Sequence, residues 1–224
     1  MKRTVVAVAL MSIGLSAAQA QEVVVKLGGA APLTGNQSHL GKDLENGTRL
    51  AIEEANAKGV TIGGKKVKFE LVGEDDQADP RTGTTVAQRL VDAGVKGVIG
   101  HLNSGTSIPA SRIYDQAGIP QVSPASTNPK LTLQNFSGVF RTIANDVQQG
   151  TGLGKYATGA LGAKRVAIID DRTAYGQGLA DETAKAVKET GGEVVAREFT
   201  TDKATDFKAI LTKIRSTNPE VVFY

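Results

Sequence analysis

The sequence has no cysteine, no tryptophan, two histidines and aromatic residues at only 4% of its 224 positions. Without cysteine there is no disulfide framework, no thiolate metal site and no cysteine nucleophile. His39 and His101 have no clear partner in the sequence, so an acid–base pair is not apparent. A one-signed charge excess is missing as well. Lys plus Arg is 26 and Asp plus Glu is 23; removing Lys2 and Arg3 with the leader described below leaves 24 against 23. No basic run or stripe interrupts that balance, which argues against a nucleic-acid partner.

What is present begins with an export signal. Met1-Lys2-Arg3 is basic, Val5 to Leu15 is largely apolar, and Ala18-Gln19-Ala20 has the small residues of a cleavage site. That order is a secretory signal peptide over residues 1–20, its apolar run well short of the roughly 20 residues that span a bilayer. No later segment is apolar enough to cross a membrane, so stable insertion after cleavage is not expected. The remaining length suffices for one large domain or two small ones.

Strand-like and helix-like segments then alternate. Glu22–Ala30 is rich in β-branched residues and predicts a buried strand. Helical spacing of Leu44, Thr48, Ala51, Ile52 and Ala55 predicts a helix over 42–58, stopped by Gly59. Gly63-Gly64 marks a hairpin or crossover into a strand at 67–72. A helix over 81–93, a strand at 97–100, a helix to about Ala117, and strands at 119–123 and 139–141 follow. The rhythm resumes with helix 146–161, strand 165–169, helix 176–190, strand 193–199, helix 205–215 and strand 220–224. Such alternation predicts an α/β fold with parallel sheets flanked by helices.

In open α/β sheets the crevice lies beyond the carboxyl ends of the strands. Two such ends are rich in small hydroxyl residues: the stretch from Gly100 to Ser107, and Ser123-Pro124-Ala125-Ser126-Thr127-Asn128. Hydroxyls and free amides with little bulk suit a small carboxylate, although either loop could equally be a helix cap and a turn. The first stretch has phosphate-loop spacing, but Thr106 stands where the lysine is required. Ser104 lies in no G-x-S-x-G frame, which argues against a serine hydrolase. Glu74 to Asp79 lacks the glycine and terminal glutamate of a calcium loop and is expected to be a solvated connection. Asp170-Asp171 could face a crevice or cap the next helix.

Together these segments resemble the leucine/isoleucine/valine-binding protein family, the receptors of amino-acid ABC importers. The resemblance is carried by GHLNS at 100–104, PAS at 109–111, SPAST at 123–127, FRT at 140–142, DVQQG at 146–150 and VAIIDDRTAYGQGLA at 166–180. It implies a two-lobed type I periplasmic-binding fold, with lobe one over 21–141 and lobe two over 142–224. It also implies a periplasmic location, hinge closure on a branched-chain or other amino acid, delivery to a membrane permease, no cofactor and no covalent chemistry. A receptor for short amides or urea, or a sensor for a signalling partner, would share the fold. By position, Ser104 matches the serine that meets the ligand carboxylate. Ala125 matches the residue whose carbonyl accepts from the ammonium, Thr127 the threonine that touches both charged ends, and Tyr175 the aromatic of the second lobe. The chain departs from the family at Leu40, where an aromatic is frequent, and at Asn103, where some members have a cysteine. The family's acidic partner for the ammonium and a further aromatic would follow Tyr224, so both lobes are expected to be incomplete and the fold C-terminally incomplete.

Overall fold

The computed structural model describes residues 22–224; the expected signal peptide lies outside the described residues. Nine strands and six α-helices follow one another among the described residues. The first sheet collects β1 (Val23–Ala31), β2 (Thr61–Ile62), β3 (Lys65–Asp75), β4 (Val98–Gly100), β5 (Gln121–Ser123) and β6 (Val139–Arg141) in the order β2-β3-β1-β4-β5-β6. All pairings are parallel except the β2–β3 hairpin, which turns at Gly63 and Gly64 with positive φ at both. The second sheet holds β7 (Arg165–Asp170), β8 (Glu193–Phe199) and β9 (Val221–Phe223) in the parallel order β8-β7-β9.

Local sequence explains most element ends. Helix α2 (Pro80–Asp92) starts where the Asp79 carboxylate accepts from the Arg81 and Thr82 amides, with Pro80 in the first helical position. Its Gly83, Val86, Ala87 and Leu90 recur at helical spacing and are buried. Val86, Ala87 and Leu90 pack with Val98, Ala110 and Tyr114 into one side of the first sheet. Full burial of a side chain such as Leu90 contributes roughly 1.5–3 kcal/mol. On another side, α1 (Ser38–Lys58) leaves an apolar groove of about 470 Å³ lined by Leu27, Leu44, Ile52, Phe69, Ile99 and Pro124.

Helix α5 (Ala174–Glu189) covers one face of the second sheet, and α4 (Asp146–Lys155) packs unusually close against α5. A Cβ on Gly150 would come within 2.7 Å of the Glu182 Cβ, and one on Gly154 within 2.5 Å of the Ala186 Cβ. Glycines four apart on α4 therefore let the two backbones meet. Val166, Ile168, Ala180 and Val187 form a core beside them.

Several boundaries differ from expectation. Helix α1 begins at Ser38, one turn earlier, its Gly41 amide already bonded to the Gln37 carbonyl; Gly41 sits against the Pro32 carbonyl with no room for a side chain. The helix expected over 146–161 is α-helical only to Lys155; Tyr156–Ala160 widens into a π-turn before Gly162 turns with positive φ. Helix α6 (Lys208–Ser216) starts three residues late, its first turn carrying no side-chain cap. The Glu74–Asp79 connection is not the solvated loop expected: Asp76 within it is wholly buried.

Candidate functional site

Two loops at the carboxyl ends of adjacent strands build the site. After β4 the chain passes Gly100, where φ is +135° and a Cβ would lie 2.2 Å from the Ala30 carbonyl oxygen, so only glycine fits. It then runs through His101, Leu102 and Asn103 into α3 (Ser104–Gln116). After β5 it runs from Ser123 through Asn128 into a single 3-10 turn at Pro129–Leu131.

His101 ties the loops together. Its ring is wholly buried, with Nδ1 2.7 Å from Asp76 Oδ2 and Nε2 3.1 Å from the Tyr114 hydroxyl. Burial and the nearby Asp76 and Glu74 charges push the Tyr114 phenol far above its ordinary range, so it stays a protonated donor. The sequence offered His101 no clear partner; the fold gives it two, from 25 residues upstream and 13 downstream. Its carbonyl oxygen accepts from the Ser123 hydroxyl at 2.9 Å, from Ser107 at 3.2 Å and from Ser126 at 3.4 Å. Ser107 and Ser126 also bond each other, and Ser126 donates to the Leu102 carbonyl. Most of the small hydroxyls in the two loops thus bind the loops to one another.

The expected ligand contacts stand differently. Ser104 is buried in the first turn of α3, and its Oγ accepts from the Asn128 amide at 3.2 Å, so its own hydrogen remains available. Ala125 is half-buried, with its amide near the Ser123 hydroxyl. Thr127 is buried, and its hydroxyl lacks a partner among the described residues. Ser104, Ala125 and Thr127 therefore share one region. Tyr175 arrives separately, in the first turn of α5, and is 41% exposed. Its hydroxyl makes no hydrogen bond among the described residues. Partial burial, then the charges of Asp146 and Asp171, raise its pKa. The nearest tie between the parts is the Asn128 side-chain amide, which donates to the Ala174 carbonyl at 2.6 Å.

Around Tyr175, Thr173 caps α5 by accepting from the Gly176 amide. Of the acidic pair before it, Asp171 accepts from the Thr173 amide and hydroxyl, while buried Asp170 holds the Arg172 amide and pairs with Arg197 at 2.9 Å. Asp171 thus stabilises the turn into the helix. Sequence reasoning missed Asp146, at the start of α4. It is wholly buried, its amide donates to the Thr127 carbonyl at 2.9 Å, and neither carboxylate oxygen has a partner among the described residues. Its only signal was a charged residue in DVQQG following the Asn145 cap, which reads as an ordinary helix start. No group of three metal-binding side chains occurs among the described residues, and no described helix is long and apolar enough to cross a membrane.

Known proteins share this fold. The chain is 42% identical over 200 residues to the Leu/Ile/Val-binding protein homolog 2 of Brucella abortus (strain 2308), covering 89% of this chain and 53% of that one. Its fold superposes on a leucine binding protein LivK from Thermotoga maritima with a TM-score of 0.78 at 32% identity, over 88% of this chain and 55% of that chain. A solute binding protein of an ABC transporter from Rhodopseudomonas palustris BisB5, in complex with 3,4-dihydroxybenzoic acid, gives 0.74 at 26% identity, over 89% and 54%. The chain spans about half the length of these proteins. The type I periplasmic binding fold expected from the sequence is therefore present. With the Periplasmic binding protein model matching residues 24–224, the chain belongs to the periplasmic binding protein family, and its relatives are the Leu/Ile/Val-binding proteins.

Proposed function

We propose that the natural full-length protein is an exported receptor of an ABC importer, holding an amino acid between two lobes and presenting it to a membrane permease. The observation that carries this reading is the convergence of Ser104, Ala125 and Thr127 on two loops tied together through His101, with Tyr175 on the neighbouring helix α5. The loops offer a hydroxyl donor at Ser104, a carbonyl at Ala125 and an unpartnered hydroxyl at Thr127. That set matches a zwitterion: donors for its carboxylate and acceptors for its ammonium. Lobe one would comprise 21–141 and lobe two 142–224, with the bond from Asn128 to Ala174 forming as the lobes approach. Tyr175 would cover the ligand on closure, the hinge motion by which periplasmic binding proteins act. Residues 1–20 would direct export. No step in this cycle makes or breaks a covalent bond.

The test is calorimetry and thermal shift on the full-length protein with amino acids, short amides including urea, and hydroxybenzoic acids. Saturable binding of an amino acid, with a raised melting temperature, is the expected outcome. Binding of hydroxybenzoates or urea with no amino-acid response would refute it. Uptake by a strain lacking the gene then decides transport: loss of amino-acid import is expected.

A further inference from the structure

Three wholly buried side chains beside the first sheet, Asp76, His101 and Tyr114, are absent from the proposed ligand contacts, yet they form a chain that ends on them. Asp76 stands just past the end of β3, with β1 between it and β4 in the sheet. Its amide donates to the Ala31 carbonyl at the end of β1. The next two residues, Gln77 and Ala78, have φ of 55° and 56°, a conformation that side chains disfavour. It is held by bonds from the Gln77 amide to Asp75 and from the Ala78 amide to Asp76 Oδ1. That leaves Oδ2 aimed at His101 Nδ1, while Tyr114 meets Nε2 from α3. With both nitrogens held, the ring cannot turn, and the backbone of His101 is fixed with it. On its other side this residue offers its carbonyl to the loops. Ser123 donates to it and in turn accepts from the Ser126 amide at 2.9 Å and the Ala125 amide at 3.4 Å. Ser126, next to Thr127, and Ser107, three residues after Ser104 on α3, donate to the same carbonyl. Ser104, Ala125 and Thr127 therefore each lie in a turn anchored to His101.

We propose that Asp76, His101 and Tyr114 are positioning residues for ligand binding: none of them touches the ligand, and together they set where Ser104, Ala125 and Thr127 stand. The proposal rests on reading those last three residues as the ligand site. A buried polar pair offers little net stability over well-packed apolar side chains of the same volume. What it supplies is direction, because a hydrogen bond fixes angles that a methyl contact leaves loose. Binding groups held by locked neighbours keep their geometry before the ligand arrives, and a small displacement weakens every contact they make. Nδ1–H donates to Asp76 and the protonated Tyr114 hydroxyl donates to Nε2, so the chain also fixes one tautomer of His101. Removing the Tyr114 hydroxyl keeps the packing of its ring but frees one nitrogen of His101, and the carbonyl that anchors both loops loosens with it.

The experiment separates affinity from stability in the full-length protein. Calorimetry is run with leucine, and with the other amino acids should leucine not bind, well below the lowest melting temperature of any variant. Ile214→Val, in the core of the second sheet, is the stability control: it should melt lower and bind as wild type does. Tyr114→Phe should lose roughly threefold to tenfold in affinity, as for one hydrogen bond. His101→Asn sets an amide nitrogen near the place of Nδ1, keeps Asp76 partnered and gives up only the Tyr114 bond. Its loss should match that of Tyr114→Phe, whereas His101→Leu, which keeps neither bond, should lose more. A positioning residue acts through the groups it places, so Tyr114→Phe should cost much less in a Ser104→Ala background than in wild type. Unchanged affinity in Tyr114→Phe overturns the proposal, as does a loss that is the same with and without the Ser104 hydroxyl, or His101→Asn binding no better than His101→Leu. A wild type that binds no amino acid overturns the reading of the site, and this proposal with it; wild-type binding with undiminished affinity in the variants overturns this proposal alone. Should the His101 variants fail to fold, Tyr114→Phe decides, and nitrogen NMR of the wild-type ring decides beside it. His101 should hold its proton on Nδ1, and a ring protonated on Nε2 alone overturns the proposal.

Discussion

The two parts of the site are built in opposite ways. On the first sheet, the Ser104 and Thr127 loops are cross-linked by buried hydrogen bonds that meet at the His101 carbonyl, and the His101 ring is fixed at both nitrogens. On the second, Tyr175 stands in the open first turn of α5, and its helix is positioned by close backbone packing on α4. One half is held by a buried hydrogen-bond network; the other is a close-packed helix pair that presents an exposed aromatic. In the proposed receptor, pre-organised donors would avoid an ordering cost on binding, and movement of the second half would govern escape.

The largest effect should come from breaking the first half at its centre. His101→Ala leaves the buried Asp76 carboxylate with only the Ala78 amide and removes the Tyr114 contact, so stability should fall on the order of 3 kcal/mol. Chemical denaturation of the full-length protein would read this as a lower midpoint. A change near zero would show that the loops hold together without the ring. Next comes the helix pair. Gly154→Val drives a branched side chain into Ala186, and overpacking of this kind costs about 1–3 kcal/mol. Its loss should appear in the melting temperature, with ligand affinity retained in whatever fraction folds. Loss of affinity without loss of stability would mean that α4 and α5 shape the ligand pocket directly.

The smaller effects test the proposed ligand contacts. Ser104→Ala removes a donor to the ligand carboxylate and should weaken amino-acid binding roughly tenfold. Calorimetry showing unchanged affinity would confine Ser104 to its bond with the Asn128 amide. Tyr175→Ala should be milder, speeding ligand release severalfold while leaving association nearly unchanged, because affinity differences within one site fall mainly on release. Stopped-flow traces with slowed association and normal release would place Tyr175 in the first encounter and erase the contrast between the halves.

Much of the fold was legible because it depends on local chemistry. The Asp79-Pro80 helix start, the Gly63-Gly64 turn and the alternation of β-branched runs with helical spacing each act over a few residues, and each stands in the structure close to where the pattern put it. The hydroxyl-rich strand ends were equally visible, as were the motifs shared with the Leu/Ile/Val-binding proteins. A hydroxyl in the sequence does not reveal its acceptor, however. Ser107, Ser123 and Ser126 looked as available as Ser104, and they prove to be spent on the His101 and Leu102 carbonyls.

By itself, then, the sequence determined the α/β order, the two hydroxyl-rich strand ends, and the family. Only the tertiary structure decided which polar groups are satisfied. Asp76 lies in a run of acids that looks solvated, yet it is buried because His101 reaches it from the next strand end. Asp146 looks like a helix-start carboxylate, yet Gly178 arrives 32 positions later in the chain to cover it, and no donor comes along. Burial and hydrogen-bond partnership are properties of chain segments brought together from far apart, and periodicity along the chain reports only which face of one element turns inward.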